Sequence, residues 1–317
     1  MEGQEAADVL FSQIRRATAS GCFDLTGCAP YHPGRAMKPP AGYRGTGPPA
    51  TPERWLRRAL LDWVIIILCF RAAHWSLFET TSLMMRVATL VPLVVVIAAR
   101  QHALGILAHD GAHRLICRNR FLNDFLANLL CEWPLMSNLG GYRAFHFEHH
   151  RKVGTPEDPE LIHKNNQWRI LNIPVLGQWP VPIHLWKFAL FIVGDFVGAA
   201  FPHLLMAARL TRARARIDMM GQLCFLGTAV TLLVWLEAIW ILVLWFVSLG
   251  TVFWTIFRIR IWTEHVGTEG THVLRPTALQ KFIFLPHNTW CHYEHHEHPS
   301  VPCWVLPDIR DPNMPTV

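Results

Sequence analysis

Between residues 221 and 257 the sequence carries a single charged side chain, Glu237, and almost everything else in the run is apolar. As one helix at about 1.5 Å per residue it would be about 55 Å long, nearly twice the roughly 30 Å hydrocarbon core of a bilayer. Such a run folds back on itself inside a membrane, as two spans turning near Glu237. Residues 83–108 are another apolar run of spanning length, and 60–78 a third, interrupted by Asp62, Arg71 and His74. Charged residues make up 16% of the chain, against about a quarter in an average soluble domain, so an integral membrane protein is the expected class.

Four spans, arranged as two hairpins, fix sidedness by parity: the N-terminus, the loop 109–218 and the C-terminal tail share one face. That loop carries Arg114, Arg118, Arg120, Arg151, Lys152, Arg209, Arg212, Arg214 and Arg216, and such an excess of cations marks the cytoplasmic side. The stretch 188–206 is apolar yet holds Asp195, Pro202 and His203. A fifth crossing there would reverse the parity, so it is assigned to the interface or to a re-entrant segment. Residues 1–55 are rich in Gly and Pro, open without an apolar signal core and read as a cytoplasmic lead-in; 56–307 form one membrane domain, and 308–317 a tail. The net charge of +6 is scattered among apolar segments rather than gathered into a basic block, which excludes nucleic acid as a partner. The eight cysteines include no C-x-x-C pair and read as reduced thiols. The expected fold is all-α, with a helical cap on the cytoplasmic side.

Eighteen histidines stand out in so apolar a chain, and three groups of them have ligand spacing: HDGAH with His109 and His113, HFEHH with His146, His149 and His150, and HYEHH with His292, His295 and His296. His265 follows the last span. Residues three or four apart share a helix face, so each group is expected to aim its imidazoles at a common point. Imidazole suits zinc, copper, nickel and iron alike. Nine donors exceed what a four-coordinate zinc site needs and suit two metals with open positions.

With these motifs the chain resembles the membrane fatty acid desaturase superfamily, which includes related hydroxylases and ketolases. The resemblance runs from Leu60 to Pro307, and HPSVPCWVLP after the third box fits it too. The segments HRKVGTPEDPEL and IRIWTEHVGTEGTH are similar to a bacterial subgroup that includes dihydrorhizobitoxine desaturase, which acts on an amino-acid-derived molecule. The resemblance implies two irons held by the nine histidines, dioxygen as co-substrate, and hydrogen abstraction from an unactivated C–H bond of a lipid acyl chain or acyl thioester. It also implies a multi-pass protein of the bacterial inner membrane with its active site facing the cytoplasm.

Asp110, Glu148, Glu264 and Glu294 flank ligand positions and read either as acceptors for the outer imidazole N–H or as ordinary solvated or capping carboxylates. His272 and His287 are candidate outer groups, and Asn288 a candidate holder of a metal-bound water. The family asparagine used for that purpose sits four residues before the isolated histidine, where this chain has Ile261. Most tryptophans, among them Trp133, Trp290 and Trp304, are assigned to aromatic belts at the headgroups. The chain has no flavin or nicotinamide fingerprint and no cysteine cluster for iron–sulfur, so electrons must come from an external ferredoxin-like or cytochrome donor with its reductase. Two rival readings remain. A hydroxylase or ketolase of the same fold would add oxygen rather than remove two hydrogens, and a metal transporter would place its ionisable groups at mid-membrane rather than outside the spans.

Overall fold

A computed structural model describes residues 52–155, 157–160, 215–265 and 270–311 of the 317. All regular structure among these residues is helical, with no strand among them. In chain order the helices are α1 (Pro52–His74, extended by a π turn over Trp75–Glu79), α2 (Leu83–Ala112), α3 (Arg120–Ala127, with a π turn over Asn128–Glu132) and α4 (Leu139–Lys152). Then come α5 (Ala215–Trp235), α6 (Trp240–Gly250), α7 (Val252–His265), α8 (Ala278–Ile283) and α9 (His292–Glu297); 3-10 turns lie at Pro286–Cys291 and Leu306–Ile309.

Three stretches are long and apolar enough to cross a membrane: 52–79, 83–112 and 240–265. Their outward faces are oily, with Leu60, Leu61, Ile67 and Leu68 of α1, Leu83, Met84 and Val91 of α2, and Val243 of α6 all exposed. In water this would be an aggregation hazard; in a bilayer it is the face that meets acyl chains. The apolar run beyond residue 221 folds back as expected. Its turn covers 236–239, with Glu237 in the left-handed region at φ 55°, and α5 before it contains the shorter apolar helix Met219–Trp235. The last span is broken between α6 and α7 at Thr251 (φ −119°, ψ −85°).

The first span begins at Pro52, eight residues ahead of the apolar run and inside the segment expected to be a lead-in; proline at the first helical position has no amide to lose. Its buried residues, Trp55, Ala59, Asp62, Ile66, Cys69 and Ala73, recur at alternating intervals of four and three, one stripe along the helix. Asp62 therefore does not interrupt the span; it lies within the stripe that packs. The lead-in up to residue 51, the stretch 188–206 and residues 312–317 of the tail lie outside the described residues.

α2 is the mast of the molecule. At 30 residues it is about 45 Å long, so it outreaches a hydrocarbon core of about 30 Å. Its first half is exposed or half-buried, whereas from Ile97 to Ala112 all but one residue is buried by α1, α3, α4, α6, α7 and the turn ahead of α9. The buried end carries HDGAH. Indole N–H groups tie neighbours to this frame: Trp55 donates to the Leu107 carbonyl, Trp63 to Leu130 and Trp245 to Pro134, each at 3.0 Å, and Trp63 stacks on Trp245 at 5.6 Å. Trp304 is also buried, and Trp290 lies between Lys281 and Arg310.

Close approach fixes Gly111. A Cβ on Gly111, within HDGAH, would sit 2.7 Å from the Cβ of Ala127 on α3 and 3.3 Å from Ile116, so only glycine lets α3 lie against the end of α2. Arg143 of α4 then closes that end. Its Nε donates to the Ala112 carbonyl at 2.8 Å, its guanidinium to Gly111 at 3.0 Å, and its fork to both oxygens of Asp124 at 2.6 and 3.0 Å. Asn123 adds a bond to the Gly111 carbonyl at 2.8 Å. Terminal carbonyls of a helix lack intrahelical partners and favour a cation, so this clamp joins the first histidine group to the second.

Candidate metal centre

All nine histidines converge, in two sets. His109, His113, His146, His150 and His295 form one; His149, His265, His292 and His296 form the other, and within each set the nitrogens lie within 4.8 Å of one another. The expectation that each box aims at one point is corrected by the geometry, because each HxxHH box serves both sets. In HFEHH the outer pair, His146 and His150, enters the five-histidine set and His149 the other; in HYEHH the outer pair, His292 and His296, enters the four-histidine set and His295 the other. On a helix the fourth residue on lies about 40° to one side of the first and the third about 60° to the other, so one short helix can serve two centres side by side. The duplicated motif is a crossover: each copy lends its pair to one centre and its single histidine to the other.

The Nε2 atoms face one another at short range. His146 lies 2.9 Å from both His113 and His150, and His150 3.0 Å from His295. His292 lies 3.0 Å from His265 and 3.1 Å from His296. Adjacent ligands at right angles about 2.1 Å from an ion are about 3.0 Å apart, whereas tetrahedral ligands are about 3.4 Å apart. Spacings of this order bring the nitrogens of each set close enough to share one ion. His109 Nε2 is buried with no hydrogen-bond partner, a costly state for an imidazole unless an ion takes its lone pair. The donor set fits a pair of nitrogen-loving transition metals.

Electrostatics keep the rings in ligand form. Burial pushes His113 down to about 3, aided by His150 and Arg143, and His150 to about 4, aided by His149. His146, His292, His295 and His296 are driven well below the ordinary range by burial first and by neighbouring imidazoles second. A neutral ring has a lone pair to give. Two tautomers are fixed from behind. His265 Nδ1 lies 2.8 Å from the Gly270 carbonyl, which can only accept, and His149 Nδ1 lies 2.9 Å from Asp158 Oδ1. Both rings therefore carry their proton on Nδ1 and turn a bare Nε2 to the centre.

The flanking carboxylates have varied surroundings. Asp110 is buried and accepts from the Cys303 amide at 3.3 Å. Glu148 lies on the outer side of α4 with Lys152 at 2.8 Å and Arg151, whose hydrogen bonds hold its carboxyl down at about 2. Glu294 pairs with Arg310 at 3.2 Å. Glu264 is fully buried, pairs with Arg260 at 2.8 Å and comes within 3.5 Å of His292 Nε2, on the side of the ring that faces the centre. The His272 amide donates to the Glu264 carbonyl, His287 Nε2 meets Asp62 Oδ2 at 2.6 Å, and Asn288 donates to the Cys303 carbonyl at 3.1 Å.

Several partners were not legible as site residues. Asp158 stands nine positions beyond His149 in a loop that folds back, and Glu160 Oε2 lies 3.8 Å from both His149 and His265. Their one signal was the acidic PEDPE, which begins six residues after the second box ends.

Known proteins resemble this chain over parts of its length. The chain is 41% identical over 75 residues to dihydrorhizobitoxine desaturase of Bradyrhizobium elkanii, covering 23% of this chain and 21% of that protein. It is 28% identical over 213 residues to zeaxanthin 4-ketolase of Chlamydomonas reinhardtii, covering 65% of this chain and 41% of that protein. The matches thus span less than half of either relative. Both relatives are oxidoreductases by name. The family model for fatty acid desaturases matches residues 86–317, from the mast helix through all nine histidines, and the chain belongs to the fatty acid desaturase family.

Proposed function

We propose that the protein is a membrane-bound, O2-dependent oxidoreductase with two irons, which removes two hydrogens from a fatty acyl chain or related lipid to form a double bond. The observation that carries this reading is the division of nine imidazoles, six of them buried and three half-buried, into sets of five and four with neighbouring nitrogens as close as 2.9–3.0 Å. His109, His113, His146, His150 and His295 would hold one iron and His149, His265, His292 and His296 the other. When bound, the irons would supply the dioxygen activation needed to break an unactivated C–H bond.

The chain's own residues bind, orient and exclude water. Burial keeps the imidazoles neutral, Asp158 and the Gly270 carbonyl fix the direction of two Nε2 atoms, and Arg143 holds the first box against the second. Four spans, α5 being the shorter fourth, would put both termini and the centre on the cytoplasmic side, and a bacterial inner membrane fits the subgroup resemblance. Because α2 carries HDGAH beyond the hydrocarbon core, substrate carbon would reach the centre from the leaflet while an external ferredoxin-like or cytochrome donor approaches from the cytoplasm.

Oxygen insertion, giving an alcohol or ketone, is the second reading, favoured by the ketolase alignment over 65% of the chain. A small amino-acid-derived substrate is favoured by the 75-residue desaturase match. The test is expression in a host of simple lipid composition, with lipids and metabolites compared by mass spectrometry between the parent and His149→Ala. A product two hydrogens lighter, absent in the variant, supports desaturation; a product heavier by oxygen supports the second reading. Identical profiles from parent and variant would refute the role of His149, and exchangeable zinc in place of firmly held iron would favour transport.

A further inference from the structure

Three charged or titratable groups meet at a point the nine imidazoles do not include. Asp62 lies in the first span, 1% exposed, within the stripe that packs on α2. Its Oδ1 accepts from Arg100 of α2 at 3.0 Å, and its Oδ2 meets His287 Nε2 at 2.6 Å. A buried carboxylate in a membrane span is costly unless it is paired on all sides, so such a group marks a task that an apolar residue cannot do.

The partner shows what the task is. His287 (φ 50°) and Asn288 (φ 63°) are consecutive left-handed residues in the turn that leads into α9, and neither is glycine. A backbone of that kind persists only where its surroundings hold it. Asp62 holds His287, and the Cys303 carbonyl holds the Asn288 amide at 3.1 Å. Arg100 also donates to the Phe282 carbonyl and covers the Phe282 ring at 4.1 Å, and His102 meets the Phe284 carbonyl at 3.2 Å. Four residues beyond Asn288 stands His292.

We propose that Asp62 is a positioning residue: through His287 it anchors the left-handed turn to the first two spans, so that His292, His295 and His296 arrive in register at both centres. This rests on the two-metal reading and adds a determinant that lies outside the histidine boxes. Since the third box gives the four-histidine centre two ligands and the other centre one, loss of the anchor weakens the two centres unequally.

The test uses the full-length protein in detergent, stripped by a chelator and titrated with Co2+, whose d–d absorption reports occupancy. His287→Ala leaves the Asp62–Arg100 pair intact and removes only the anchor. It is expected to bind one Co2+ equivalent about 10- to 100-fold more weakly than the parent and the other nearly as tightly, with unchanged circular dichroism and gel-filtration profile. His287→Gln, whose amide can still donate to Asp62, recovers most of the loss, and Asp62→Asn changes binding in the same direction as His287→Ala. The proposal is overturned if His287→Ala binds both equivalents like the parent, or if His287→Gln is as weak as His287→Ala. A parent that takes up no Co2+ would instead sink the two-metal reading, and this proposal with it.

Discussion

Removing the Asp158 carboxylate should separate the two centres. His149 is fully buried and its Nδ1–H has Asp158 Oδ1 at 2.9 Å; the same oxygen accepts from the Glu160 amide at 2.9 Å, which fixes it in place. Asp158→Ala removes the acceptor at hydrogen-bond distance from a buried N–H, at about 1–3 kcal/mol, and loosens the orientation and tautomer of the ring. The effect on metal is expected to be a fall of about 10- to 100-fold in affinity, equivalent to about 1.4–2.7 kcal/mol, at the four-histidine centre alone. The five-histidine centre shares no ligand with it and should bind unchanged. Asp158→Asn keeps an acceptor oxygen and loses only the charge, so its effect should be about half as large on a free-energy scale. Calorimetric titration of the metal-stripped protein resolves two binding steps and measures each. Equal weakening of both steps, or two steps identical to the parent's, would refute the reasoning that Asp158 acts through the His149 tautomer.

Three other perturbations test the frame around the centre. Gly111→Ala drives a Cβ into that of Ala127 and should cost about 1–3 kcal/mol by thermal unfolding in detergent; Ala127→Gly in the same chain should recover part of that loss, and simple additivity of the two would contradict the close approach. Arg143→Lys cannot bond the Gly111 and Ala112 carbonyls and both Asp124 oxygens together, so it should lose about 1.5–3 kcal/mol of stability and weaken metal at the five-histidine centre first, measured as iron retained during dialysis. Burial raises Glu132 from its ordinary 4.5 to about 7, against the pull of Ser137, so the folded chain holds that proton more firmly than the unfolded one. Its contribution is complete below about pH 4.5 and is lost as pH rises through about 7; Glu132→Gln should remove up to about 3 kcal/mol of this decline, seen as a flatter melting-temperature profile between pH 5 and 8.

The residues that announced themselves were those with a local signal. Apolar runs are read directly from composition, and so the spans at 83–112 and 240–265 and the reversal at Glu237 were legible. The histidine boxes were legible because three- and four-residue spacing encodes a helix face. What spacing alone could not say is that His149 and His295 leave their own boxes for the opposite centre, since that depends on where a second helix places its ring. Asp62 looked like a flaw in a span because a one-dimensional apolar count treats any charge as a penalty. In three dimensions it lies in the packing stripe, and its partners Arg100 and His287 come from other segments, the latter 225 positions away. Asp158, Arg143 and Asn123 were hidden for the same reason: a hydrogen bond made by a loop or a neighbouring helix leaves no period in the sequence.

The central claim is that imidazoles from four separate stretches surround two iron atoms. Elemental analysis of the purified, iron-reconstituted protein, combined with iron K-edge X-ray absorption, tests it most directly. The expected result is two irons per chain with a nitrogen-rich shell of five or six light atoms and imidazole back-scattering, and about half that iron in His149→Ala. A chain that holds no iron after reconstitution, or that holds one four-coordinate zinc in its place, would contradict it.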